Sequence, residues 1–447
     1  VRPPLALLAI TLSAALARAD DLHLPVAASD TEGMQAYESL PGKLTLDAAL
    51  KIYRERGYDL LLADSAVLNA IGGLQSAAQF ANPGVSFSYG RSFGPAAAPA
   101  PDSYSGDVND NAAILDTLVV GKRRLRVEVA QAQLDSQKMS RVDAERNLIS
   151  AFKQQWVACI AAKRQLEENG KILKSQQDTL DLIKTRYKAG AASEVDTSSQ
   201  ETATYEAAQQ VAVAHQAYEQ AKEGLAFLLG VRGKTPQFEV DPGLFGEALP
   251  SQTQDATVES FHDFAYGHRP DVIAQRLQVT EAQANIRLTR RQIVPDISLG
   301  VGYAQQVGPD PDEAITPPTV SVNVGFTLPL FYQMQGELTM AQSNLRTQQI
   351  MLAKLEAQVL SDVDSAWSAF RAARERRYRL EHGYLEQSKL AADLTKIQYE
   401  KGAASLVDYL VAERNYIATV QEYVQSMNDV WTAIFQLEQA LGKELKS

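Results

Sequence analysis

Hydrophobic spacing changes period several times along this chain. From Thr45, Leu46, Ala49, Leu50 and Tyr53 fall on one helical face. Gly57 interrupts that helix, and a second is predicted from about Tyr58 to Ala81, stopping before Asn82-Pro83. The period then becomes two. Val85, Phe87 and Tyr89 alternate with Ser86 and Ser88, which predicts a strand over about 84–91 with one apolar face. Ser92 to Asp110 is rich in proline, alanine and serine and reads as a loop. A second strand is expected over about 112–120, with weaker alternation and Asp116 inside it. From Gly121 to Tyr187 the residues are those that favour helix, and no proline occurs between Pro101 and Pro236. That run makes about 100 Å of helix. A helix of about 40 residues returns to Leu228-Leu229-Gly230.

The second half repeats the first. Val231 to about Thr257 reads as a connector. Repeat 1 spans 45–230 and repeat 2 spans 258–447. Strands are expected over about 296–304, where Ile297, Leu299, Val301 and Tyr303 alternate with small residues, and over about 319–328, where Val320, Val322, Val324, Phe326 and Leu328 do so. Gln305 to Pro318 lies between them as a loop. Pro83 matches Pro295 and Gly230 matches Gly442, each 212 residues on, whereas Trp156 and Trp367 match one residue short of that. Such a repeat implies duplication. The helix before the strands, roughly 36 Å, and the returning one, roughly 60 Å, would together equal the uninterrupted rod if placed end to end. In the last helix Ile417, Val420, Val424, Met427, Trp431, Ile434, Leu437 and Leu441 form a coiled-coil seam.

Each long hairpin turns through the same motif. Tyr187-Lys-Ala-Gly-Ala-Ala-Ser-Glu-Val-Asp196 is echoed by Tyr399-Glu-Lys-Gly-Ala-Ala-Ser-Leu-Val-Asp408. Gly190 and Gly402 supply left-handed helix stops. Ser193 and Ser405 are N-caps, and Asp196 and Asp408 complete capping boxes. The tips span 188–196 and 400–408.

The N-terminus reads as a signal peptide over 1–19. Arg2 gives the positive region, Leu5 to Leu16 the apolar one, and Ala17-Arg18-Ala19 the cleavage site, so an exported protein starting near Asp20 is expected. Residues 20–44 form a polar N-terminal extension. No later apolar run is expected to reach the ~18 residues of a membrane-spanning helix. The formal charge of −11 argues against a nucleic-acid binder. The single Cys159 and five scattered histidines show no metal-ligand spacing. Gly233-Lys234-Thr235 lacks the earlier glycine of a phosphate loop, and His268-Arg269-Pro270-Asp271 opens a helix. No catalytic constellation, metal or cofactor is expected.

The strands carry the functional inference. Val85, Phe87, Tyr89, Ile297, Leu299, Val301, Val320, Val322, Val324 and Phe326 are expected to face lipid, with small polar residues toward a lumen. Four strands cannot close a barrel, for which about eight are the minimum, so closure requires several copies. A periplasmic coiled-coil adaptor or tether without a barrel is the alternative; it would share the long helices but not this strand pattern.

The whole mature chain resembles the TolC-family outer membrane efflux proteins. The resemblance rests on the paired Gly-Ala-Ala-Ser-x-Val-Asp tips, the duplicated element order, His268-Arg-Pro-Asp271, Leu328-Pro-Leu-Phe331 and the terminal Leu-Gly pairs. Gly121-Lys-Arg-Arg124 and Asn82-Pro83 look more like the cobalt–zinc–cadmium resistance branch. The resemblance implies a mainly α fold with a small β part. It implies a homotrimer with a twelve-stranded outer membrane barrel continuous with a twelve-helix periplasmic cylinder. It also implies a passive exit duct, with heavy-metal cations among the candidate substrates, served by a periplasmic adaptor and an inner-membrane pump of the resistance-nodulation-division type. The expected adaptor contacts are Gly190, Ala191, Ala192, Ser193, Gly402, Ala403, Ala404 and Ser405. The expected periplasmic gate is Glu194, Asp196, Tyr399 and Asp408. Some family members place a locking arginine where this chain has Ala404.

Overall fold

Two near-continuous rods run the length of the molecule, as their proline-free sequence requires. The computed structural model describes residues 40–91, 102–113, 116, 120–231, 237–247, 249–253, 257–307 and 317–445. The expected signal peptide and most of the N-terminal extension lie outside these residues. In chain order the elements are β1 (Lys43–Leu44), α1 (Leu46–Arg56), α2 (Tyr58–Ala78), β2 (Gly84–Gly90), β3 (Asp102–Asn109), α3 (Lys122–Lys188), α4 (Glu194–Leu228) and β4 (Glu239–Val240). They continue with α5 (Val258–His268), α6 (Pro270–Gln292), β5 (Ile297–Val307), β6 (Thr319–Phe326), α7 (Gln335–Arg379), a π turn (Leu380–Tyr384), α8 (Leu385–Glu400) and α9 (Leu406–Leu441).

The shorter helices stack end to end beside the rods. The Tyr58 hydroxyl, at the start of α2, donates to the Gly230 carbonyl beyond the end of α4 at 3.3 Å. Gly230 has φ +77° and lies so near Arg56 that a Cβ there would sit 3.1 Å from the Arg56 carbonyl oxygen. The second repeat makes the same joint with Gly442 against Arg269 and Pro270. Arg269 is buried in that joint, bonded to Asp271 and Asp362. Burial pushes the Asp271 carboxyl up, but hydrogen bonding and charge from Arg269, aided by Arg146, outweigh it and hold the carboxyl below its ordinary range.

One apolar cluster forms around Tyr53, Leu60, Phe152, Trp156, Ile160 and Leu225, with Tyr53 stacked on Phe152 at 4.7 Å. Cys159 is buried there, and its thiol is pushed up to about 12 by burial. Another joins Val359, Val363 and Leu437 to α5 and α6. Val420, Val424, Met427, Trp431, Ile434, Leu437 and Leu441 of the α9 seam are buried. The described part of the connector packs against the first repeat. Phe238 and Val240 are buried, and β4 pairs parallel with β1.

The π turn accounts for the return of the repeat offset after the tryptophans. A π turn adds one residue to a helix. It falls between Trp367 and Gly402, and restores the 212-residue spacing that the tryptophans miss.

Three expectations change. No strand occupies the described part of 112–120. There the backbone turns, with positive φ at Asn111 and Ala112, and Asp116 accepts from the amides of Lys122 and Arg123 at the start of α3. The missing strand is β3, inside the segment read as a loop. Its apolar face carries only Tyr104 and Val108 around Gly106, and Phe87 covers the glycine. Finally, α2 is long and apolar enough to cross a membrane by length and composition. It lies along α3 instead, with Asp64 bonded to Arg141 at 2.8 Å.

The larger sheet is antiparallel, in the order β2-β3-β5-β6, so the repeats meet at β3 and β5. Register places Val85 beside Val108, Val108 beside Val301, and Val301 beside Val322. The same face carries Phe87, Tyr89, Tyr104, Ile297, Leu299, Tyr303, Val320, Val324 and Phe326. The other face pairs Ser86 with Asp107, Gly302 and Ser321.

Candidate functional site

The two tips share one backbone geometry. At the end of α3, Gly190 has φ +76°; its amide donates to the Tyr187 carbonyl, and the Ala191 amide donates to the Arg186 carbonyl. At the end of α8, Gly402 has φ +74°, with matching bonds to Tyr399 and Gln398. These are Schellman caps. Asp196 N donates to Ser193 Oγ at 3.1 Å and Ser193 N to Asp196 Oδ2 at 2.9 Å. Ser405 and Asp408 repeat the box, and the Ser405 hydroxyl also donates to Asp408 at 2.6 Å. That hydroxyl, with the Ser405 amide, holds the Asp408 carboxyl below its ordinary range.

Ala191, Ser193, Glu194, Ala403 and Ser405 are exposed, as are Gly190 and Gly402. Ala404 is half-buried. Ala192 turns inward, against a cluster of Ile183, Tyr399, Leu406 and Tyr409. The two aspartates are thus occupied by their own caps. The structure does not bring either of them to Tyr399.

Tyr399 is buried and lies parallel to the Tyr409 ring, with centroids 6.1 Å apart. Its partner across the seam is Arg186, which the sequence reading missed. The Arg186 guanidinium lies 4.9 Å from the Tyr399 ring centre. It donates to the Tyr399 carbonyl at 3.1 Å and to that of Glu400. A cation at the carbonyl end of α8 is favoured by the helix dipole, and a cation over an aromatic face adds about 0.5–2 kcal/mol. Above it a polar ladder joins α3 to α9 across the seam and to α4 within the first hairpin. Thr179 meets the Tyr409 hydroxyl at 3.3 Å, and Gln200 of α4 donates to Gln176 at 2.6 Å. Nothing local to Arg186 marks it, because its partners stand more than 200 residues away.

At the other end, the apolar sheet face is open. Phe87 is 72% exposed, Val320 and Val322 each 70%. Ile297 is half-buried and the other expected lipid-facing residues are exposed. On the opposite face a Cβ at Gly302 would sit 2.7 Å from Ser321 Oγ, so glycine makes room there for polar side chains. Among the described residues no group of three His, Cys, Asp or Glu side chains could hold a metal ion.

A family model described as outer membrane efflux protein matches residues 68–231 and 263–443. Among curated proteins the chain is 22% identical to the pyoverdine export outer membrane protein OpmQ of Pseudomonas putida, over 72% of this chain and 67% of that one. It is also 22% identical to the cobalt-zinc-cadmium resistance protein CzcC of Cupriavidus metallidurans, over 58% and 59%. Among solved structures, CusC aligns with a TM-score of 0.74 at 18% identity, covering 89% of this chain and 92% of that one. The outer membrane protein VceC of Vibrio cholerae aligns at 0.71 and 18%, covering 90% and 97%.

Proposed function

We propose a function from one premise: this chain belongs to the outer membrane efflux protein family. It is an outer membrane channel, the exit duct of an efflux system, with a large helical part in the periplasm. The alternative of a barrel-less adaptor gains nothing from that membership.

One observation carries the finer reading. A four-stranded antiparallel sheet with a mainly apolar face ends, among the described residues, in two unpaired edges, β2 and β6. Lipid penalises open edges, so the sheet closes with copies of itself. Alternation makes β6 of one copy antiparallel to β2 of the next. Two copies would give an eight-stranded barrel filled by its own side chains, whereas three give twelve strands and room for a duct. The edges continue into helices with exposed apolar residues, Leu62 and Leu68 on α2 and Met340 and Ile350 on α7. These faces meet between neighbours in the closed ring.

The tips then form the periplasmic mouth. Asp196, Asp408 and Glu194 give it negative charge, Arg186 and Tyr399 latch its hairpins together, and the small exposed tip residues receive a periplasmic adaptor. An inner-membrane pump supplies the energy. The relatives' names span pyoverdine export and cobalt-zinc-cadmium resistance, which fits a passive duct whose substrate is chosen upstream. Native mass measurement in detergent tests the assembly: a trimer is expected, and a stable folded monomer would sink the barrel reading.

A further inference from the structure

The polar ladder above the tips contains one group the duct reading leaves unused. Glu413, on α9 one turn beyond Tyr409, is only 7% exposed. Ser175 Oγ of α3 donates to its Oε1 at a long 3.5 Å, and its Oε2 is enclosed with no hydrogen-bond partner. By contrast the buried Asp116 has Arg126 at 3.5 Å, and the half-buried Glu438 has Lys153 at 2.9 Å. Among the described residues Glu413 has none within ion-pair distance.

Its surroundings come from three helices. From α3, Ser175 and Gln176 face it, both uncharged; α4 connects to it only through the Gln200–Gln176 bond. From α8 the charged group is Lys396, and on its own helix the titratable neighbour is Tyr409. Burial pushes the Glu413 carboxyl upward, and Tyr409, Gln176, Lys396 and Ser175 offset this only in part.

We propose that Glu413 is a proton-operated pin of the seam between α3 and α9, and so of the periplasmic mouth. The inference rests on the reading of the tips as that mouth. When protonated, the side chain is neutral and no charge is buried, so the seam packs. When ionised, it leaves a buried charge with no ion-pair partner in the seam, which Lys396 of α8 offsets only in part. The seam then loosens beside the Arg186–Tyr399 latch, and the tips are freed to part. The sign follows from linkage. A carboxyl that holds its proton more tightly in the packed seam favours packing as pH falls, and that preference is lost as pH rises through its packed-state value.

Hydrogen exchange on the purified oligomer tests this without transport. Peptides covering 176–186 and 406–414 should lose protection severalfold as pH rises from about 5 to about 8, after correction for intrinsic rates. Glu413→Gln should abolish the change and stay protected at the upper pH. A wild-type seam that does not respond to pH, or a Glu413→Gln protein that keeps the wild-type response, overturns the proposal. Should that variant misassemble, Tyr409→Phe decides. Losing a hydroxyl that favours the ionised form should move the wild-type midpoint upward, and an unmoved midpoint rules Glu413 out. A negative result leaves the duct reading standing, whereas an intact pH response in a protein that conducts nothing sinks only the duct.

Discussion

Arg186 lies over the ring of Tyr399 and donates to the carbonyl oxygen of that same residue at 3.1 Å. One side chain of the first hairpin thus grips both the aromatic face and the helix end of the second. Arg186→Ala should leave the oligomer assembled but raise conductance in planar bilayers, since a charge-assisted hydrogen bond of about 1.5–3 kcal/mol is lost per copy. Arg186→Lys should be intermediate, because a point charge cannot reproduce the planar fork. Wild-type conductance in both variants would show that the contact is packing without gating.

The two sheet faces differ in what they tolerate. Val322→Arg or Leu299→Arg should cost roughly 2–4 kcal/mol near the bilayer midplane, and Ser298→Arg, on the lumen face, less. The level of assembled protein in the outer membrane reads this out. Equal tolerance at all three positions would mean the faces are assigned the wrong way round.

At the tips, Ala191 and Ala403 are exposed and neither turns nor caps. Ala191→Trp combined with Ala403→Trp should preserve assembly and insertion while abolishing adaptor cross-linking and export. Normal resistance at wild-type protein levels would refute docking there. Ala192 is a poor site for the same test, since it packs beside the Ile183 cluster.

Arg269 joins α6 to α7 and α9 through Asp362 and the Ala440 carbonyl. Removing one partner from a buried ion pair costs about 3–5 kcal/mol, so Arg269→Ala should lower the thermal unfolding temperature markedly. Asp271 has its carboxyl lowered, so its contribution is present above about pH 4 and is lost as pH falls through its folded value. Asp271→Asn should flatten that acid limb of the melting profile; an unchanged limb would assign it to other carboxylates.

Much of this architecture was legible because it is written in local terms. Gly190, Ser193 and Asp196 define a stop, a turn and a start within seven residues, and their echo at Gly402, Ser405 and Asp408 reported the duplication. Clean alternation placed β2, β5 and β6. It failed for β3, where Gly106 interrupts the apolar face and Phe87 of the neighbouring strand supplies the missing cover.

What tertiary structure alone decided are the relationships between distant positions. The 212-residue repeat was visible in sequence, but the π turn that repairs it is a hydrogen-bonding pattern within a folded helix. Arg186 and Glu413 look like ordinary solvated charges on amphipathic helices. The seam that gives the first its aromatic partner and deprives the second of water exists only once α3, α8 and α9 pack, because desolvation and cross-hairpin contact are properties of the assembled surfaces.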